Sequence, residues 1–183
     1  MLALVIGGGP NVRAESADAL RLAKPDHVLI INDVGTIWGG EFGHWVSLHP
    51  ERWHQWVAMR RARGFPTPHN FWSNRRYTMP KGCSLTVHPD YQESGLSGLY
   101  ACKIAIEKLD CDKIMLAGVP MDKSGHLMPG RGHWINLERR RAWLEQTATL
   151  MGRAKSWSGW TRETFGVPTR EWINAESVGA RRE

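Results

Sequence analysis

Leu2 to Ile6 is an unbroken apolar run that halts at Gly7-Gly8-Gly9-Pro10, and this punctuation restricts the fold more than any other feature of the chain. A strand apolar on both faces has no side to turn to water, so it belongs inside a parallel sheet covered above and below. The pattern recurs at Val28 to Ile31, followed by Asn32-Asp33, at Trp45 to Leu48, followed by His49-Pro50, and at Lys113 to Ala117, followed by Gly118. Ser84 to Val87 is also strand-like, and Phe71-Trp72 is a short strand candidate inside an otherwise loop-like stretch from Phe65 to Gly82. Helical spacing predicts helices over Ser16 to Ala23, Pro50 to Arg63, Leu99 to Leu109 and Trp134 to Met151. In the second of these, Trp53, Trp56, Val57 and Arg60 share a face. Alternating helices and strands with short turns predict an α/β, Rossmann-like, doubly wound and mostly parallel sheet with helices on both faces. The expected domain runs over residues 1–152. A tryptophan-rich extension, 153–183, adds a strand at Ala154 to Trp157 and a short helix at Thr169 to Asn174.

At 183 residues the chain suits one core. No stretch approaches the roughly eighteen apolar residues of a membrane span, and the start lacks the basic flank of a signal peptide. Three cysteines without CxxC spacing suggest neither a disulfide framework nor a zinc site. These features predict a soluble cytoplasmic protein with no membrane contact. The net charge of +6 is uneven, since residues 51–82 hold seven basic side chains and one acidic. Such a segment either attracts phosphate groups, including nucleic acid, or is a solvated face.

In a doubly wound sheet, ligands bind beyond the carboxyl ends of the strands, where strand order reverses. The residues expected along that edge are Gly7, Gly8, Gly9, Pro10, Asn11, Asn32, Asp33, His49 and Asp122. Glycines admit a ligand to the main chain, and a helix start offers free amides to phosphate. GGGPN is nonetheless not the dinucleotide fingerprint, whose sixth position is here Val12; it serves equally as a structural turn. Asn32 is either a donor and acceptor for a base or ribose, or a turn former. The run Ser94 to Gly98 suits capping or phosphate binding at a helix start. His126 and His133 bracket the loop HLMPGRGH, where a histidine could serve as general base and Arg131 as a phosphate partner. Loop histidines without a chemical role are the rival reading. A site of Asp122, His126 and His133 matches no established metal spacing, so no metal is expected. No GxSxG elbow marks a serine nucleophile. Trp157 and Trp160 in SWSGWTRE either pack the tail onto the domain or form a homo-oligomer contact.

The ordered set VIGGGPN, IINDVG, SLHPERW and SGLSGLYACKIAIEKLDCDKIMLAGVPM, with the glycine-histidine loop after it, resembles the nucleotide-binding core of the family 42 sialyltransferases. It is also similar to Rossmann-like proteins related to 6-hydroxymethylpterin diphosphokinase and to small phage or prophage proteins, which would imply a host cytoplasm. The resemblance spans roughly Leu2 to His133 and is strongest from Ser94 to Asp122. It implies that Gly7 to Asn11 contact the phosphate or ribose of a nucleotide or nucleotide-sugar donor. Asn32 would touch the nucleotide, and Ser97 and Gly98 would hold its base or phosphate. It further implies a downstream histidine base, for which His126 and His133 are the candidates, and glycosyl or phosphoryl transfer as the chemistry. His49-Pro50 replaces the family's asparagine-proline pair, and no tyrosine follows Asp122, where the family holds its leaving phosphate. Apart from such a donor ligand, no cofactor is implied. The rival function is a non-catalytic phage module with a vestigial pocket, binding protein or nucleic acid.

Overall fold

The computed structural model describes residues 1–88, 96–128, 130 and 137–175. Seven parallel strands form one sheet: β1 (Leu2–Ile6), β2 (His27–Ile31), β3 (His44–Val46), β4 (Asn70–Ser73), β5 (Ser84–Val87), β6 (Lys113–Ala117) and β7 (Ala154–Ser156). Their order across the sheet is 5-4-3-2-1-6-7. The chain therefore winds outward from β1 to β5, crosses back to lay β6 against the other side of β1, and ends on β7. Strand order reverses between β1 and β6, which pair from Leu2 with Lys113 to Ile6 with Ala117. The expected α/β, Rossmann-like, doubly wound sheet is present, and every pairing in it is parallel.

Side-chain alternation along β1 shows how both faces are covered. Ala3 and Val5 enter the core beneath α3 (Ser97–Glu107), whereas Leu2, Leu4 and Ile6 enter the core beneath α1 (Val12–Leu22) and α2 (Trp53–Ala62). The second core explains much of the tryptophan content. Trp45 on β3, Phe71 on β4 and Trp53 and Trp56 on α2 pack with ring centroids 5.2 to 6.5 Å apart. Rings of that size bridge the gap between a helix and the outer strands with rigid apolar bulk.

Local departures from the sequence expectation have local causes. α1 starts at Val12 rather than Ser16, because Asn11 O already accepts the Glu15 N–H at 3.1 Å. The expected Pro50 to Arg63 helix opens as a 3₁₀ turn, Pro50–Arg52, before α2 begins. The long helix ending at Met151 is divided into α4 (Leu137–Glu145) and α5 (Thr147–Leu150). There the Thr147 hydroxyl donates to Trp143 O at 3.3 Å, taking the carbonyl that would continue the ladder. α6 (Gly159–Phe165) was not foreseen, and α7 (Arg170–Asn174) is capped by Thr169, whose Oγ1 accepts the Trp172 N–H at 3.2 Å. The tail tryptophans pack on their own chain, Trp157 and Trp172 against one core and Trp160 against the other. Among the described residues no helix is long and apolar enough to cross a membrane.

Candidate functional site

At the reversal point, beyond the carboxyl ends of β1, β2 and β6, lies a cavity. Of the residues expected to gather there, Gly7, Gly8, Asn32, Asp33, Ser97, Gly98 and His126 line it. Gly9, Pro10, Asn11, His49 and Asp122 do not. Pro10 and Asn11 are exposed, and Asp122 Oδ1 accepts the Ser124 N–H at 2.8 Å. Arg131 and His133 lie outside the described residues.

The glycines answer first to packing. A Cβ on Gly7 would stand 2.5 Å from Gly118 O, and one on Gly9 would stand 2.8 Å from Pro120 Cδ. A Cβ on Gly8 would overlap the His126 imidazole. The β1 and β6 turns thus touch through bare backbone, with Gly7 N donating to Ala117 O at 2.8 Å and Gly9 N to Gly118 O at 2.7 Å. Glu15 on α1, which the sequence reading passed over, fastens the same junction. This buried carboxylate accepts the Gly118 N–H at 2.7 Å and the Ser158 hydroxyl at 3.0 Å.

Asn32 has its hydrogen-bonding polarity fixed from behind. Ser47 Oγ accepts the His49 N–H at 2.9 Å, and Ser97 Oγ accepts the Leu48 N–H at 3.4 Å. Each hydroxyl proton is then available for Asn32 Oδ1, at 2.7 Å from Ser47 and 3.1 Å from Ser97. Each serine thus accepts a backbone N–H and donates its own proton to Asn32, whose amide oxygen takes both. The two Nδ2 hydrogens, without a protein acceptor among the described residues, are what Asn32 presents to the cavity. The acceptor half anticipated for a base or ribose is therefore spent inside the protein. Asn32 sits at φ 51°, a conformation asparagine tolerates, and Trp45 Nε1 holds its carbonyl at 2.6 Å. His49 contributes through its main chain, while its ring stands beside Glu51 at 3.3 Å.

His126 and Asp33 form the ionisable part of the wall, 6% and 9% exposed at their side chains, with Nε2 3.8 Å from Oδ1. Met128 N donates to His126 Nδ1 at 2.9 Å, and Leu127 N donates to Gly8 O at 2.7 Å, tying this loop across the glycine turn. A ring nitrogen that accepts an N–H carries no proton, so the neutral imidazole bears its hydrogen on Nε2. In this arrangement His126 donates, and Asp33 is the lining side chain able to accept a proton. A base role for His126 at Nε2 needs the other tautomer and release of the Met128 bond.

The remaining wall is apolar, with Ile31, Leu96, Val119, Met121 and Trp143, and the described lining includes no arginine or lysine. Anion affinity must come from the first turn of α3, where the Ser97 and Gly98 amides have no intrahelical acceptor. Among the described residues no three histidine, cysteine or acidic side chains group as a metal site requires. In the basic segment, Arg52, Arg61, Arg63, Arg75, Arg76 and Lys81 are exposed, whereas Arg60 is buried.

The chain matches no protein-family model, no curated protein and no solved structure.

Proposed function

We propose that this protein binds a nucleotide, or a small molecule activated by one, at the reversal point of its sheet. The observation that carries the reading is the locked Asn32 amide, a donor-only group aimed into a cavity flanked by the α3 start. An oxygen-rich ligand satisfies every group around it. Phosphate oxygens suit the α3 amides, sugar hydroxyls suit Asp33, and a flat base suits the wall of Ile31, Val119 and Trp143. Should the ligand be a nucleotide-sugar donor, Asp33 would take the proton of an acceptor hydroxyl as its oxygen bonds to the sugar carbon. The bond from that carbon to phosphate breaks, and the nucleotide leaves with the electron pair while His126 Nε2–H donates to its oxygen. The test is thermal unfolding against a panel of nucleotides and nucleotide sugars. A cognate ligand at a hundred times its Kd adds about 2.7 kcal/mol, or roughly 5–10 °C in Tm. A flat response across a saturating panel overturns the reading.

A second reading concerns the surface. The loop carrying Arg75, Arg76 and Lys81 is tied across α2 by three contacts, His54 Nε2 to Thr78 O at 3.1 Å, Arg61 to Lys81 O at 3.1 Å and Arg75 to Glu51 at 2.8 Å. That places exposed cations from two segments on one face, as a nucleic-acid backbone would need. Replacing Arg75 and Arg76 with alanine should lower affinity for nucleic acid and flatten its salt dependence together; an unchanged slope removes this reading.

A further inference from the structure

At the opposite edge of the sheet, where β2 and β3 begin, a second cleft is lined by His27, Phe42, His44, Arg60, Pro66 and His69, with Asp26 and Glu41 also on its wall. Its floor holds an unusual cation. Arg60 is 1% exposed, yet no carboxylate pairs with it among the described residues. Its Nε donates to Pro66 O at 2.6 Å, and Nη1 donates to Gly35 O at 2.7 Å and to Trp38 O at 2.6 Å. The guanidinium lies over the Phe42 ring, 4.5 Å from its centroid, and burial lowers its proton affinity. Among the described residues Nη2 has no protein acceptor. A buried charge held by neutral carbonyls calls for a counter-ion, and none is supplied among the described residues.

A second donor shares this cleft. The Trp72 indole can only donate, and it does so to His44 Nδ1 at 3.1 Å. His44 therefore carries its proton on Nε2 and passes it toward His27 Nδ1, also at 3.1 Å. His27 is left with Nε2–H as its outward group. Arg60 and His27 thus line one open cleft with donors whose direction is fixed by the fold. Of the two acids there, Asp26 is engaged by the Leu2 N–H at 2.7 Å, and Glu41 is exposed, with no ion-pair partner among the described residues.

We infer that this cleft binds a small oxyanion, a phosphate or a carboxylate, as the missing counter-ion of Arg60. The site is distinct from the cavity at the strand ends and independent of its proposed ligand. The test follows the Arg60 side-chain ¹⁵N resonances while inorganic phosphate, and separately acetate, are added at constant ionic strength. Saturable movement of those resonances is expected in the wild-type protein and equally in Asn32→Ala, which alters only the other cavity. Glu41→Gln, which removes the opposing charge, should tighten binding severalfold, and His27→Phe should weaken it at least fivefold. Phosphate moving the resonances while acetate does not would assign the site to phosphate, and the reverse would assign it to carboxylates. Resonances unmoved by both anions in wild type and in Glu41→Gln would overturn the inference and leave Arg60 a purely structural clamp.

Discussion

The two ends of the sheet present fixed hydrogen-bond donors, but they fix them by different means. At the carboxyl end the chain of polarity starts at backbone amides, passes through Ser47 and Ser97, and ends on Asn32. At the amino end it starts at the Trp72 indole and passes through His44 and His27. Amides and hydroxyls do not titrate near neutral pH, whereas imidazoles do. At the carboxyl end the Asp33 carboxylate stands beside His126, while at the amino end no carboxylate pairs with the buried Arg60 among the described residues. The first presents, through Asn32, a donor that does not titrate, with the Asp33 carboxylate and the His126 ring beside it. The second sets the direction of its donors through imidazoles and is sensitive to acid.

The difference can be broken most forcefully at Arg60. Arg60→Met strands the carbonyls of Gly35, Trp38 and Pro66 at once and should cost about 4 kcal/mol in urea unfolding. A loss under about 1 kcal/mol would mean that these bonds contribute little.

Acid should separate the two ends. Burial, and then the neighbouring His27, push His44 down to about 4 from the ordinary 6.5. A folded state that resists protonation keeps its full stability above pH 6.5 and loses it as pH falls toward 4. The loss should reach about 3 kcal/mol at most, at roughly 1.4 kcal/mol per pH unit. His44→Gln should be weaker at neutral pH but flatter across this window, and equal slopes in the two proteins would show that His44 is not the titrating group.

Glu15→Ala sharpens the comparison from the other side, since it leaves the Gly118 N–H buried without its acceptor. The expected destabilisation is about 2 kcal/mol in urea unfolding at neutral pH. A loss under about 0.5 kcal/mol would show that this junction does little to hold the carboxyl end together.

Much of the carboxyl end was legible in the sequence because its signals are local. An apolar run that stops at Gly7 or at Asn32-Asp33 announces both a buried strand and the edge where it ends. What escaped was the traffic between segments. Nothing near Asn32 in the chain reveals that Ser47 and Ser97 consume its oxygen, and a lone Glu15 in α1 reads as a first-turn acid until β6 lies beside it. Pro10 and Asn11 continue the glycine turn in sequence but face solvent, because the turn closes on β6 rather than opening to the cavity. The amino end was nearly invisible. His27 and His44 precede their apolar runs, where no turn signal marks them, and only the placement of Arg60 on the tryptophan face of α2 hinted at a buried cation.

The central claim is that Asn32 serves its ligand as a donor. Asn32→Asp keeps an oxygen for both serines, tolerates the same backbone conformation, and replaces the outward NH₂ with an acceptor. The decisive measurement is calorimetric affinity for the nucleotide that most raises Tm, compared between wild type and Asn32→Asp. Affinity should fall at least about 100-fold, as loss of two donors and gain of a repelling charge imply, with the Tm of the free protein nearly unchanged. Affinity within threefold of wild type would contradict the account.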